Sequence, residues 1–300
     1  MSRPRGSRLR LVNLVLAVLI GLYVVYFAVG CSIQRSLIYP GQNRHVDGKV
    51  LHLNPEIIVL KVKSDNADLE AWYLPPSDST LHPPYPTVVF AHGNNRVIDN
   101  VVTQMTELQK MGLGVLLVEY PGYGHSTGKP TQKSITDAAV AEYDLATVMG
   151  LMDTSRVLIA GHSLGGAVAC QLALRRPSRA MILISTFTSM KAMVAKYFLP
   201  SFFALDPWDN IAAVKQYQHP LMIIHGERDE RIPYGHAVTL YESGSQHMLV
   251  TTQGDHNHPF PEWKDLWLGA RPFLYVNGIL TELPPGMPVP RRERPFEMNY

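Results

Sequence analysis

The chain has 300 residues, 46% hydrophobic and 17% charged, with a formal net charge of +2. That is the balance of an ordinary globular protein and excludes a disordered chain. Residues 1–30 contain Arg3, Arg5, Arg8 and Arg10 and no acid, and the remaining 270 hold 23 basic and 25 acidic residues, so the body has no electrostatic footprint for nucleic acid.

The first predicted element is a membrane segment. After the basic "MSRPRGSRLR", residues 11–30 (LVNLVLAVLIGLYVVYFAVG) hold one polar side chain, Asn13. Twenty apolar residues at about 1.5 Å rise just cross a bilayer core of about 30 Å. The arginines place the N-terminus in the cytoplasm and the catalytic body on the opposite, non-cytoplasmic face, periplasmic in a bacterium. Two anchors are open: an uncleaved signal anchor, or a lipoprotein signal ending in "AVGC" with Cys31 lipidated, although Ala28 stands where such signals usually carry leucine. The only other cysteine, Cys170, lies in a helical pattern as a small apolar side chain, so a disulfide scaffold is excluded. Residues 31–50 read as a linker.

The body alternates apolar, β-branched runs with helical patterns. Strands are predicted at 56–62, 69–74, 87–91, 114–120, 156–160, 180–186, 221–226 and 247–253, with helices at 97–110, 134–149, 166–175, 234–241 and 261–276. The later strands are near-continuous apolar runs, as expected for strands buried on both faces. The fold class is α/β: a mostly parallel eight-stranded sheet flanked by helices, with an antiparallel hairpin from the first two strands at one edge. Residues 51–278 form the catalytic domain. Residues 187–219 interrupt the alternation as a short lid, with helices broken by Pro200 and Pro207. Its Met190, Met193, Phe198, Phe202, Phe203 and Trp208 either cover an open site or pack the insertion onto the sheet. Residues 279–300, rich in proline and charge, read as a mobile tail.

The strongest chemical signal is "RVLIAGHSLGGAVACQLAL", in which Gly161-His162-Ser163-Leu164-Gly165 fits G-x-S-x-G between a predicted strand and a predicted helix. A sharp turn there raises the Ser163 hydroxyl above the sheet, and the glycines give it room. A glycine-rich turn with an incidental serine is the plain alternative. Serine needs a base, and the base an orienting acid. In this sheet type the order is Ser, acid, His. Asp229, just past a strand in "HGERDERIP", suits the acid role; Glu227, Glu230 and Asp255 compete for it. The base comes from "GDHNHPF", as His256 or His258. The oxyanion donors are the N–H groups of Leu164 and of Asn94, the latter in "TVVFAHGNN".

In this order, "HGN", "EYPGYGHSTGKP", "GHSLGG", "HGERDERIP" and "GDHNH" resemble the α/β-hydrolase superfamily. More narrowly, the chain is similar to single-span, membrane-anchored hydrolases related to acyl-protein thioesterases and to serine aminopeptidase-type (S33) hydrolases, from residue 51 to 276. The resemblance implies Ser163 as nucleophile, Asp229 as acid, His256 as base, and Asn94 and Leu164 as the oxyanion hole, with no cofactor and no metal. The sequence departs from the pattern at Asp255, Asn95, Glu119 and Pro121.

A metal hydrolase using Asp255, His256, His258 and His92 lacks the converging third and fourth ligands that zinc requires, and His125, His162 and His236 read as surface or turn residues. A dehalogenase would need aspartate in place of Ser163. A non-catalytic, membrane-tethered interaction protein and a peptidase on the same triad remain as alternatives. The expected activity is cleavage of a small acyl ester or thioester through an acyl-enzyme.

Overall fold

The computed structural model describes residues 5–64, 67–195, 204–244 and 246–283. Its eight strands are β1 (Ile58–Ser64), β2 (Ala67–Leu74), β3 (Tyr85–Ala91), β4 (Gly114–Val118), β5 (Met152–His162), β6 (Ala180–Ile184), β7 (Leu221–Gly226) and β8 (His247–Thr252). They form one sheet in the order β1-β2-β4-β3-β5-β6-β7-β8. β2 pairs antiparallel with β1 and with β4, and the pairs from β4 to β8 are parallel. Every residue of β4, β6 and β7 is buried, which is why these strands read as unbroken apolar runs.

The helices are α1 (Arg5–Ile38), α2 (Lys49–Leu53), α3 (Thr106–Lys110), α4 (Gln132–Val148), α5 (Leu164–Ala173), α6 (Met190–Ala195), α7 (Asn210–Gln216), α8 (Gly235–Glu242) and α9 (Trp263–Val276). Thr131 caps α4 by accepting from Ser134 N–H at 3.0 Å. The α4 residues Ile135, Ala139, Tyr143 and Ala146 recur at helical spacing and face the sheet. The single helix expected at 97–110 is instead a 3₁₀ segment, Ile98–Met105, followed by α3. The β-branched run Val101-Val102-Thr103 weakens α propensity there, and the tighter turn lines up the buried Ile98 with Val101.

Three other expectations change. α1 runs eight residues beyond the predicted span, and its apolar residues are bare of protein along most of its length (Leu14 is 62% exposed, Val25 61%). It is long and apolar enough to cross a membrane. Residues 31–50 do not behave as a linker: Gln34, Ile38, Tyr39 and Val46 are buried, and the chain from 41 to 47 is hydrogen-bonded to the loops after β3 and β4 through Asn94, Asp99, Gly122 and Gly124. Leu205 N–H donates to Gln34 Oε1 (2.8 Å), Arg35 pairs with Asp206, and Trp208 Nε1 donates to the Tyr39 hydroxyl (3.1 Å). The tail begins later than expected, because Ile279 and Leu280 are buried against α9. In the insertion, Phe187, Met190, Val194 and Trp208 pack inward; Pro200, Phe198, Phe202 and Phe203 lie outside the described residues.

The topology decides where a site can form. After β3 the chain crosses to β4 on one side and then returns to β5 on the other, so the loops after β3 and β5 leave neighbouring strands in diverging directions. Ala91 lies opposite Gly161 in that pairing. Open α/β sheets bind ligands in the crevice at such a switch point, beyond the carboxyl ends of the strands.

Candidate active site

Ser163 occupies the turn from β5 to α5 with φ 57° and ψ −118°, a conformation that side chains rarely adopt. Its N–H donates to Ile184 O (2.8 Å), and its carbonyl accepts from Thr186 Oγ1 (2.7 Å) and Gly166 N–H (3.0 Å). The strained turn is therefore held from β6. Gly161 and Gly165 let β5, α5 and the loop after β3 approach to backbone contact.

His256 lies in the loop after β8, between Ser163 and Asp229. Its Nε2 is 3.0 Å from Ser163 Oγ and its Nδ1 is 2.8 Å from Asp229 Oδ2. His258, the other candidate, is exposed and faces Asp255 instead. Asp255 shapes this loop: its Oδ1 accepts the N–H groups of Asn257 and His258, both at 2.8 Å. A small residue at that position would lose this turn, which accounts for the departure from the usual pattern.

Asp229, after β7, is buried. Its Oδ1 accepts from the Arg231 and Ile232 N–H groups at 3.0 and 2.8 Å, and His225 Nε2 lies 3.2 Å from Oδ2. Burial raises its pKa, but the hydrogen bonds from His225, His256 and Ile232 outweigh that and hold the carboxyl well below the usual range. Of the other candidate acids, Glu227 is exposed and hydrogen-bonded to Gln253, and Glu230 is exposed at a cavity rim.

Asn94 and Leu164 both line a cavity with Ser163 and His256. Leu164 opens α5, where a helix leaves its first N–H groups without internal partners. The Asn94 carbonyl accepts from Gly41 N–H (3.0 Å) and the Tyr123 hydroxyl (2.8 Å), and its side-chain Nδ2 donates to Ile38 O (3.0 Å). Among the described residues neither backbone N–H has a hydrogen-bond acceptor.

Several supporting residues escape a sequence reading. His162, expected at a surface or turn, is buried and its Nε2 donates to His256 O (2.8 Å), tying the Ser163 turn to the His256 loop. Burial and the neighbouring His256 push its pKa down to about 3, so the ring is neutral at working pH. His92, grouped by sequence with possible metal ligands, is buried with its Nε2 2.6 Å from Glu119 Oε1. Glu119 also accepts from the N–H groups of Ile98 and Tyr120 (3.1 and 3.0 Å), which fixes the loop carrying Asn94. Among the described residues no group of three or more His, Cys, Asp or Glu is arranged to hold a metal. The G-x-S-x-G pattern leaves its second position open, so His162 carried no signal. Glu119 carried one, as an acid at the immediate end of an all-apolar strand.

Both depressed values make stability pH-dependent with the same sign. An unfolded histidine binds its proton near pH 6.5 and an unfolded aspartate near pH 3.9. Folded His162 and Asp229 bind theirs at lower pH. On acidification the unfolded chain takes up protons first, so stability falls below about pH 6.5 and falls further below about pH 4. Urea unfolding from about pH 7 down to about pH 4 should show a shallower loss for His162→Leu than for wild type. An equal slope would show that the ring is not held neutral.

A family model described as alpha/beta hydrolase fold matches residues 86–213. Over 246 residues the chain is 30% identical to an Arabidopsis thaliana alpha/beta hydrolase domain-containing protein, WAV2, covering 74% of this chain and 79% of that one. The chain belongs to the α/β-hydrolase family. Among solved structures it is similar to a Pyrococcus furiosus esterase (TM-score 0.63, 20% identity, covering 78% of this chain and 95% of that one). It is also similar to the acylaminoacyl peptidase of Pyrococcus horikoshii (TM-score 0.61, 16% identity, 81% of this chain and 45% of that one). At these identities the likeness is of fold, and it spans both ester and peptide hydrolases.

Proposed function

We propose that this α/β hydrolase is a membrane-anchored serine hydrolase that cleaves carboxylic esters or thioesters through an acyl-enzyme. One observation carries the reading: the continuous relay Ser163 Oγ–His256 Nε2 (3.0 Å) and His256 Nδ1–Asp229 Oδ2 (2.8 Å). Ser163 Oγ attacks the carbonyl carbon as His256 Nε2 takes its proton. Asp229 holds the ring in the tautomer with hydrogen on Nδ1 and stabilises the imidazolium. The N–H groups of Leu164 and Asn94 receive the oxyanion. The imidazolium then protonates the leaving atom, and water repeats the sequence to free the acid.

An aminopeptidase must hold a cationic amino terminus beside the nucleophile. Arg44, Arg96 and Arg231 line the polar side of this site, where no carboxylate is among the lining residues, and Glu230 on the adjoining apolar cavity is exposed at its rim beside Arg231. That electrostatic setting disfavours an ammonium group and supports the ester reading. For the anchor, Tyr26, Val29 and Gly30, which cleavage before Cys31 would remove, line the cavity that holds Ser163, and this supports an uncleaved helix. The basic leader then puts the hydrolase on the non-cytoplasmic side.

A fluorophosphonate probe tests the reading. It should label the full-length wild type and not Ser163→Ala, and the labelled mass should retain residues 1–30. Absence of labelling on the folded wild type would leave a non-catalytic tether.

A further inference from the structure

Two cavities meet at Ser163. One, of about 660 Å³, is apolar: Val29, Ile33 and Leu37 of α1 form one wall, Phe187, Met190 and Met193 the other, with Ser163 and Leu164 at its base. The second, of about 220 Å³, is polar. Arg44, Arg96 and Arg231 line it with Asn95 and Asn100, and no acid is among its lining residues. Ser163, Asn94, Arg231 and His256 belong to both cavities.

Neither half reads as ordinary surface. The chain after residue 30 has more acids than bases. Yet three arginines line this one small cavity, and among the described residues the arginine ion pairs are made by Arg35, Arg156 and Arg176, not by these three. A guanidinium fork matches the planar or tetrahedral oxygens of a carboxylate or phosphate. The apolar wall, in turn, is the membrane helix itself. From Tyr26 to Ile38, both on the cavity wall, α1 rises about 18 Å, comparable to one leaflet of a core about 30 Å thick. A chain lying along that wall would follow apolar side chains of α1 from the span towards Ser163.

We infer that the substrate is a single-chain acyl ester with an anionic leaving group, drawn from the membrane, its chain against α1 and its head on Arg44, Arg96 and Arg231. This rests on the serine-hydrolase reading above and names its substrate class. The partition follows the chemistry. Ser163 Oγ bonds to the acyl carbon, which stays on the apolar side. The bond from that carbon to the leaving oxygen breaks, and that oxygen takes the proton from His256 Nε2. The anionic alcohol leaves on the arginine side. Water then releases the fatty acid, its proton passing to His256 and on to Ser163.

The test uses the full-length protein in neutral detergent micelles with three esters: a long-chain monoacylglycerol phosphate, the monoacylglycerol with the same chain, and a short p-nitrophenyl ester. Wild type should prefer the phosphate-bearing ester over its neutral counterpart by about tenfold or more in kcat/KM, and added salt should erode that preference. Arg44→Gln with Arg96→Gln should bring the ratio close to one. Ile33→Trp should lower the ratio of long-chain to short-ester turnover by about tenfold, and Ile33→Ala should shift it towards longer chains, an opposition that misfolding cannot produce. Leu16→Trp, on α1 but away from the cavity, should change neither ratio. A labelled, active wild type indifferent to head charge, or Ile33 variants with wild-type chain preference, overturns the inference and leaves the serine hydrolase standing. A wild type that the fluorophosphonate does not label overturns both.

Discussion

His256→Ala is expected to lower ester turnover by about 10⁴-fold or more, whereas His258→Ala should stay within about threefold of wild type. The two histidines are separated by one residue, yet their surroundings give them different work. His256 is buried between Ser163 Oγ and Asp229 Oδ2. Removing its ring leaves Ser163 with no acceptor for its proton and the leaving group with no donor. His258 is 64% exposed at the side chain and its ring pairs with Asp255 rather than with Ser163 or Asp229. Its backbone N–H, which alanine keeps, accounts for its part in the loop. Rates measured on a short ester with both purified variants decide the matter. A dead His258→Ala beside an active His256→Ala would reverse the assignment. Because the relay acts as one unit, Ser163→Ala combined with His256→Ala should cost little more than either change alone.

How far the sequence carries the structure follows from the range of the interactions. The central strands were legible because burial on both faces writes itself into consecutive residues, as in "LMIIHG", where the expected and observed strand coincide. The turn at Ser163 was legible because its glycines are demanded locally, and the His256 loop because it follows the last strand. Other features depend on partners far along the chain. Gln34 and Arg35 reach residues 171 positions away, so nothing near "CSIQRSLIYPGQNRHV" announces that it is tied to the body. The apolar run 11–30 foretold a long apolar helix, but not that Val29, Ile33 and Leu37 would wall a cavity. Of the insertion's apolar residues, Trp208 turned out to be wholly buried, its indole nitrogen on Tyr39, so it serves packing rather than a cover. Hydrophobic pattern records that a residue is buried; it does not record against what.

The same distinction sets the second large effect, which concerns packing rather than chemistry. A Cβ placed on Gly165 runs into the carbonyl oxygen of Ala91 and stands 2.5 Å from its carbon and 2.7 Å from His92 O. These are backbone atoms of β3 and the loop that carries Asn94, so no side chain can swing aside. Gly165→Ala must push α5 off the sheet end, and α5 opens at Leu164, one residue after Ser163. Overpacking of this kind costs about 3 kcal/mol or more, which for a body of this size lowers Tm by about 10 °C. Gly235 is the matched control: it opens α8, and a Cβ there meets nothing within 4 Å. Gly235→Ala should be neutral or stabilise by up to about 1 kcal/mol, since alanine loses less backbone entropy on entering a helix. Thermal unfolding of both variants measures the difference, and fluorophosphonate labelling reports whether the surviving fold still presents Ser163. If Gly165→Ala melts within about 2 °C of wild type and labels at the wild-type rate, then β3 and α5 do not approach to backbone contact, and the strained turn at Ser163 must be held by β6 alone.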